Sequence, residues 1–216
     1  SGRGEYEITD ALAALIREGR LAGYPLSFWL DVGYPWDLLE ANAMLLSDRA
    51  FEREGTVEPG AVLDGDVAVG PGSVVRTGTV IEGPCVIGRY SRIGPHAYIR
   101  GATSIGNDCH IGHCSEVKNS VILPGTKIPH FNYVGDSIIG SSCNLGAGTK
   151  IANLRNDRAP VHACGMSTGR VKFGAIVGDG VSFGINCSVN AGSVVGSNSR
   201  FAPQSYIHGC IMEGTE

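Results

Sequence analysis

The sequence predicts an all-β protein built as a parallel β-helix, and three observations support this. Every sixth residue from Val57 to Leu123 is Val, Ile or Leu. The fourth residue after each of these is small or short, as at Ala61, Ser73 and Thr79. Glycine accounts for 32 of the 216 residues, which suits a chain with a turn in every repeat. A period of six fits neither an α-helix nor an isolated alternating strand, but it is typical of stacked hexapeptide rungs.

The first fifty residues lack this repeat and predict a small α/β segment. The stretch EITDALAALIREGR predicts a helix capped by Thr9 or Asp10. Phe28 to Val32 predicts a short strand, and Pro35 opens a second predicted helix, PWDLLEANAMLLSDRAF. Such a segment is too short to bury a core by itself, so we expect it to dock on the β-helix or on another domain.

The repeat is interrupted twice before the end of the chain. It slips after Leu123, with five-residue steps at 123–128 and 134–139, and it stops at residues 152–170. It then continues from Val171 to Ile207, which gives 24 hexads, or eight coils of three hexads. A polar insertion in a solenoid is usually a loop on the binding face, and a tolerated surface insertion is the alternative.

Composition argues against several classes of function. The net charge is −4 and no Lys/Arg block stands out, so we expect no nucleic-acid partner. No apolar run has transmembrane length and no signal peptide is present, so we expect a cytoplasmic protein without membrane contact. The seven cysteines form no CxxC pair. Four of them occupy the small inward position, which predicts reduced core thiols and not a disulfide framework or zinc site: Cys85, Cys109, Cys143 and Cys187.

Several segments carry a resemblance to a known family. GEYEITDA and FWLDVGYPWDLLEAN resemble the C-terminal end of a sugar-1-phosphate nucleotidylyltransferase domain. GPHAYIR, SEVKNS, KIPHFNYVGDSIIG, NLGAGTKIANL and VKFGAIVGDGVSFG follow in the order seen in bifunctional N-acetylglucosamine-1-phosphate uridylyltransferase/glucosamine-1-phosphate acetyltransferases, especially their archaeal-type relatives. The resemblance implies a left-handed β-helix, whereas the general preference for right-handed crossovers would predict the opposite hand.

The same resemblance implies a domain organisation and an activity. Residues 1–50 would be the remnant of a nucleotidylyltransferase domain, and residues 51–216 an acetyltransferase domain with an inserted loop at 152–170. The implied reaction moves an acetyl group from acetyl-CoA to an amino-sugar 1-phosphate, of gluco or galacto configuration, in a homotrimer. Asp31 matches a metal-binding aspartate, but its partner carboxylate and the nucleotide-binding loop have no counterpart here. We therefore expect a fragment that lacks nucleotidylyltransferase activity. Magnesium (Mg) would be needed only by the missing domain.

Candidate catalytic residues lie on three of these segments. His130, in PHFNYVGD, matches the family's catalytic base, which would take a proton from the amine. Glu116, in SEVK, could orient or polarise that imidazole, and a solvated rim carboxylate is the alternative. Asn153, at the head of the insertion, matches an asparagine close to the reacting group.

Candidate binding residues also follow from the resemblance. The positions that match cations around the sugar phosphate are Arg100, Lys118 and Lys172, and those that match sugar contacts are Tyr133 and Asn144. The 18-residue period alone puts Arg100 and Lys118 one coil apart on the same edge, which supports a shared anion. The candidate cofactor-binding positions are Ala147, Ile185 and Pro203. The family often has Ser and Ala at the last two, and contacts made by the backbone would tolerate this change of side chain.

The sequence leaves two alternative functions open. The β-helix could be a non-catalytic module that assembles a nucleotidylyltransferase, as in several sugar-nucleotide pyrophosphorylases. His110 and His113 could instead belong to a zinc site, as in the trimeric left-handed β-helices of carbonic anhydrases. Their HxxH spacing straddles a corner of the predicted coil, where solvated imidazoles are the simpler interpretation, so no metal ligand is predicted.

Overall fold

The computed structural model describes Gly4, residues 7–47 and residues 51–216, and the chain divides into two compact units, 1–31 and 32–216. The first unit contains helix α1, Ile8–Arg17, and Glu7 is its N-cap. The predicted capping by Thr9 or Asp10 is therefore wrong, because both residues lie within the first turn. A carboxylate such as that of Asp10 is still favourable there, since it faces the positive end of the helix dipole.

The predicted strand from Phe28 to Val32 is also wrong. Residues 28–33 have no regular secondary structure, and the side chains of Phe28 and Trp29 are exposed. A strand needs a neighbour for its backbone hydrogen bonds, and the described residues of the first unit include no other strand.

The second unit is a β-helix of three parallel sheets with eight strands each. Sheet 1 contains β1 Thr56–Val57, β4 Val74–Val75, β7 Arg92–Ile93, β10 His110–His113, β13 Lys127–His130, β16 Asn144–Leu145, β21 Ser182–Phe183 and β24 Arg200–Phe201. Sheet 2 contains β2 Val62–Asp64, β5 Val80–Glu82, β8 Tyr98–Arg100, β11 Glu116–Lys118, β14 Tyr133–Gly135, β17 Lys150–Ile151, β22 Ser188–Val189 and β25 Tyr206–Ile207. Sheet 3 contains β3 Val67–Val69, β6 Cys85–Ile87, β9 Thr103–Ile105, β12 Val121–Ile122, β15 Ile138–Ile139, β20 Ala175–Val177, β23 Ser193–Val195 and β26 Cys210–Ile211.

The chain passes from sheet 1 to sheet 2 to sheet 3 in every coil, so the described strands make eight coils. This confirms the left-handed parallel β-helix and the predicted number of hexads. Two further strands, β18 His162–Ala163 and β19 Met166–Ser167, form an antiparallel hairpin inside the insertion. Among the described residues, neither helix is long and apolar enough to cross a membrane.

The core is a continuous stack of inward aliphatic side chains, and it corrects one predicted position. Ile122 is 1% exposed, whereas Leu123 is 37% exposed. The first five-residue step therefore runs from Val117 to Ile122, and the predicted step at 123–128 is wrong. The second step, 134–139, is confirmed, because Val134 and Ile139 are both fully buried.

The end of the insertion also differs from the predicted pattern. Val171 is 46% exposed, and the next strand of sheet 3 begins at Ala175. The insertion therefore spans residues 152–174, and the final rung is at Ile211 in β26. The number of hexads is nevertheless correct, because a rung wrongly assigned at Val171 balances the one missed at Ile211.

The cysteines follow the prediction only in the core. The four at the small inward position are buried free thiols, and burial raises the pKa of the Cys85 thiol to about 12. Cys164 and Cys210, about which the pattern made no prediction, form a disulfide that ties the insertion to β26. The two are 46 residues apart, so only the folded coil brings them together. The cytoplasmic location stays a prediction.

Helix α2, Asp37–Ser47, packs on the outer face of sheet 3. The Asn42 amide donates to the Ala102 carbonyl at 2.8 Å and accepts from the Ser104 hydroxyl at 2.5 Å. This confirms, for α2, that the segment docks on the β-helix. The predicted helix began two residues earlier, and its residues 48–50 lie outside the described residues.

The insertion lies over the same sheet and forms a second apolar core with α2. Trp36 and Leu39 are buried together with Val161, Phe173 and Ile138. The outward side chains of sheets 1 and 2 remain accessible within this unit, as Lys127 and Lys150 show. The site residues predicted above lie mainly on these two sheets and at the root of the insertion.

Candidate active site

The candidate site is built at two shortened corners between sheets 2 and 3. The five-residue steps 117–122 and 134–139 follow one another at this edge of the β-helix. Each corner turns through a residue with positive φ, 44° at Asn119 and 50° at Asp136. Asn and Asp tolerate this left-handed conformation better than most residues. The shortened turns bring their polar side chains against the neighbouring coil.

Asp136 is the centre of a buried polar cluster at these corners. Its side chain is 4% exposed, and its two oxygens accept from Lys118 Nζ at 3.0 and 3.2 Å. Asn119 Nδ2 donates to the same carboxylate at 2.7 Å, and Asn153 Nδ2 also donates to it. Two of the predicted site residues, Lys118 and Asn153, are therefore held by one carboxylate.

Arg100 lies beside Lys118, in register on the neighbouring strand, as the 18-residue period predicts. Its Nε and a terminal nitrogen donate to Glu116 Oε1 at 2.9 and 2.8 Å. The hydrogen bond from this guanidinium to Glu116 raises the pKa of Arg100. Each of the two cations thus has its own carboxylate, and an incoming anion would have to compete with these pairs.

Tyr133 and Asn153 converge over Gly135. A Cβ atom on Gly135 would lie 2.6 Å from the Tyr133 hydroxyl and 2.7 Å from Asn153 Nδ2, so only glycine allows both to approach. Burial raises the pKa of the Tyr133 phenol, and the nearby carboxylates of Glu116 and Asp136 raise it further. The phenol therefore stays protonated at neutral pH and can donate a hydrogen bond.

His130 lies at the opposite edge of sheet 2, where the chain leaves sheet 1. Its backbone N–H donates to Asn132 Oδ1 at 2.9 Å, and the Asn132 amide donates in turn to the Gly146 carbonyl at 2.8 Å. Asn132 is 2% exposed, so this turn is anchored in the core while the imidazole of His130 is exposed. The step from Ile128 to Val134, which contains His130, has the full six residues, whereas the shortened steps are 117–122 and 134–139.

Glu116 does not orient His130 within one chain. The described residues contain no hydrogen bond between the two side chains, and the Glu116 carboxylate is engaged by Arg100. Burial lowers the pKa of His110, and the charges of Arg92 and Lys127 lower it further.

The three candidate cofactor positions form a column with His130 along its edge. Gly148 N–H donates to the His130 carbonyl, Asn186 N–H to the Ala147 carbonyl, and Gln204 N–H to the Ile185 carbonyl. These bonds place His130, Ala147, Ile185 and Pro203 on successive coils. The N–H groups of Ala147 and Ile185 donate to no other described residue, so they are available to a ligand along this edge.

Asn144 and Lys172 lie outside the Asp136 cluster. Asn144 is in sheet 1, in register with Lys127, and its side chain is exposed. Lys172 belongs to the insertion, where it forms an isolated antiparallel bridge with Leu154. It is exposed and close in sequence to Gly174, whose N–H donates to the Asp136 carbonyl, so it borders the cluster.

Both ring nitrogens of His113 lie near partners within its own chain. His113 Nδ1 is 3.3 Å from the Pro95 carbonyl, and its Nε2 is 3.3 Å from the Cys114 thiol. Within the described part of the chain, no three His, Cys, Asp or Glu side chains are arranged to hold a metal ion.

Asp136 and Asn119 complete the cluster, and neither was among the predicted site residues. Asp136 ends the segment NYVGD, and it lies within the shortened step from Val134 to Ile139. The signal that could have identified it is this break in the period, since an acidic residue at a shortened corner is forced toward its neighbouring coil.

Comparison with known proteins gives one family and several longer relatives. The model of the family described as GMPPB C-terminal domain matches residues 81–214. The chain is 51% identical, over its whole length, to "Bifunctional protein GlmU" of Methanococcus maripaludis and covers 53% of that protein. It is 39% identical over 96% of its length to "Bifunctional sugar-1-phosphate nucleotidylyltransferase/acetyltransferase" of Sulfurisphaera tokodaii, again covering 53%. The chain thus spans about half the length of these relatives.

Among solved structures, the chain is similar to the UDP-N-acetylglucosamine acyltransferase from Campylobacter jejuni. The identity is 12%, the TM-score is 0.41, and the alignment covers 74% of each chain.

Proposed function

Because this chain belongs to the family of the GMPPB C-terminal domain and has bifunctional nucleotidylyltransferase/acetyltransferase relatives twice its length, we propose that it is the acetyltransferase part of such an enzyme. It would transfer an acetyl group from acetyl-CoA to the nitrogen of an amino-sugar 1-phosphate. The observation that carries this proposal is the cluster of Arg100, Lys118, Tyr133 and Asn153 at one edge of sheet 2, with His130 at the corner where the opposite edge of sheet 2 meets sheet 1.

The cluster has the chemistry expected for a sugar phosphate. Arg100 offers a planar guanidinium, which suits phosphate oxygens, and Lys118 keeps a donor beyond those that face Asp136. Lys172 adds a further exposed cation at the border. Together with the carboxylates of Glu116 and Asp136, these three cations carry a net charge of about +1. The phosphate would therefore be attracted even while the existing ion pairs remain formed.

The edge of His130 has the chemistry expected for acetyl transfer. The amine nitrogen would bond to the acetyl carbonyl carbon while the carbon–sulfur bond breaks, and His130 would accept the proton that the amine loses. The free N–H groups of Ala147 and Ile185 on neighbouring coils fit the amide carbonyls of a pantetheine arm. Ile185 would serve here despite its side chain, because its contact would be through the backbone N–H, whereas Pro203 has no N–H and would offer only its carbonyl.

The separation of these two groups supports a shared site in a homotrimer. Helix α2 and the insertion cover sheet 3, so a neighbouring β-helix would approach sheets 1 and 2. A groove between two neighbouring β-helices would then bring the His130 edge of one copy toward the cluster of another. Light scattering should give about 68 kDa, three times the chain mass of 22.6 kDa.

The test is release of free thiol from acetyl-CoA. Glucosamine 1-phosphate and galactosamine 1-phosphate are each supplied as acceptor, and a reaction without acceptor gives the background. His130→Gln should abolish acceptor-dependent release, whereas His162→Gln, an exposed imidazole on the hairpin, should leave it unchanged. Release with neither sugar by a folded wild-type trimer would overturn the proposed activity.

A second function is favoured by one observation. Both cations of the cluster are already paired with carboxylates, which a purely structural corner would also show. In that case the β-helix would be a non-catalytic assembly module. It would form the trimer but bind neither sugar phosphate nor acetyl-CoA, and calorimetry with both ligands would distinguish the two functions.

A further inference from the structure

We propose that Asp136 is a positioning residue of the acetyl-transfer site, which holds the Lys118 ammonium and the Asn153 amide in fixed orientation. This inference rests on the proposed function and goes beyond it, since Asp136 matches none of the residues expected to contact substrate. The geometry distinguishes a positioning role from a catalytic one. Its side chain is 4% exposed, and both oxygens are occupied by Lys118, Asn119 and Asn153.

A buried carboxylate at this corner requires a reason other than stability. Burying a charge is costly unless it is paired and hydrogen-bonded, and a well-packed apolar residue often serves stability as well as a buried ion pair does. The other buried corner side chains of the β-helix are mainly neutral, such as Ser120 and Thr103. Asp136 departs from this pattern where Lys118 and Asn153 meet.

Asp136 also connects the β-helix to both ends of the insertion. Its backbone N–H donates to the Lys118 carbonyl at 2.9 Å, and its carbonyl accepts from Gly174 N–H at 2.8 Å. Its side chain accepts from Asn153, whose carbonyl accepts from Phe173 N–H at 3.0 Å. One residue thus joins the neighbouring coil, the start of the insertion and its return.

Asp136 and its two partners would therefore have different roles. Lys118 and Asn153 would contact the substrate, and Asp136 would fix where their donors point without touching it. Replacing Asp136 with Asn keeps the size of the side chain but removes the charge and one acceptor. Because a negative charge near the phosphate is lost at the same time, substrate binding should not weaken, and the defect should appear in turnover.

The experiment compares Asp136→Asn with Asp179→Asn in the trimer. Asp179 also accepts a corner hydrogen bond, from Ser141 N–H at 2.6 Å, but it is exposed and outside the site. We expect Asp136→Asn to lower kcat about 10- to 100-fold, the usual range for losing a supporting partner of a site residue, with KM for the sugar phosphate unchanged or lower. Asp179→Asn should keep the wild-type kcat.

A double-mutant cycle with Asn153→Ala tests whether Asp136 acts through its partner. If it does, Asp136→Asn should cost less than about threefold in kcat on the Asn153→Ala background, because the group to be positioned is absent. Asn119→Ala, which leaves the charge of Asp136 and its pair with Lys118 in place, is the milder variant if Asp136→Asn folds poorly. It should lower kcat by a smaller factor with KM unchanged.

The outcomes separate this proposal from the proposed function. Full additivity in the cycle, or wild-type kcat in both Asp136→Asn and Asn119→Ala, would overturn the positioning role while leaving the acetyltransferase intact. An inactive wild-type trimer would overturn the proposed function, and the positioning role with it. A rise in KM with unchanged kcat would also contradict the proposal, because it would assign Asp136 to binding.

Discussion

Replacing Arg100 with Gln should separate substrate binding from folding more cleanly than replacing Lys118. The side chains of Arg100 and Glu116 are 36% and 30% exposed, and such pairs contribute about 0–1 kcal/mol to stability. Lys118 and Asp136 are 18% and 4% exposed, and breaking a buried pair costs about 3–5 kcal/mol, because a charge is left without its partner. Arg100→Gln should therefore lower the Tm by less than about 4 °C.

The same substitution should weaken binding of the amino-sugar 1-phosphate. A charged hydrogen bond contributes about 1.5–3 kcal/mol, which corresponds to a rise in Kd of about 10- to 150-fold. Because the phosphate must share Arg100 with Glu116, we expect a value near the lower limit. The free amino sugar has no phosphate, so its Kd should change less than about twofold if the guanidinium contacts only that group.

Calorimetry with both sugars on the wild type, Arg100→Gln and Arg76→Gln measures this difference. Arg76 is the matched control, since it forms a comparable exposed pair with Glu58 at 3.5 Å away from the site. Equal losses for the phosphorylated and free sugars would refute the phosphate contact. A Tm drop of more than about 10 °C in Arg100→Gln would refute the assignment of its ion pair as a minor contributor to stability.

Three further predictions follow from the site and the insertion. His130→Ala should lower kcat about 10²- to 10⁴-fold with little change in sugar-phosphate Kd, and near-normal turnover would remove it from the mechanism. Gly135→Ala should push the Tyr133 hydroxyl and the Asn153 amide apart and lower kcat, with Gly23→Ala, which has open space around it and no positive φ, as a control for the substitution. Cys164→Ser should lower the unfolding free energy by up to about 4 kcal/mol, from the 46-residue separation that the disulfide closes. Chemical denaturation should then no longer respond to reductant, and a continued response would contradict the bond.

The repeat made the β-helix predictable, but not the details of its phase. An aliphatic residue every six positions can only be buried by stacking coils, so the three sheets followed directly from the sequence. At 122 and 123, however, Ile and Leu are adjacent, and both suit a core position. Only the stacked neighbours select Ile122, because the corner after Lys118 is one residue short. Val171 was misassigned for the same reason, since an aliphatic residue in the right phase is not proof of a rung.

The site was predictable where it depended on the period and unpredictable where it depended on contacts between coils. The 18-residue spacing places Arg100 against Lys118 without any structure. The partners of these cations are not spaced by the period, because Glu116 reaches diagonally across its sheet and Asp136 lies on a shortened corner. The Cys164–Cys210 disulfide was missed for a related reason, since the path of the insertion over sheet 3 is set by its own packing.

The two shortened corners have a consequence for how this protein can change. A solenoid is close to a crystal in one dimension, in which every coil is interchangeable with the next, and such a lattice has no unique position for a binding site. Here two neighbouring coils each have one residue fewer at the same corner. This irregularity makes the position unique, and the polar groups of Asn119 and Asp136 come together there. Redesign toward the consensus repeat would restore the missing residues and regularise the stack. The polar cluster at this edge would then be lost, so a more regular repeat would come at the expense of the binding site.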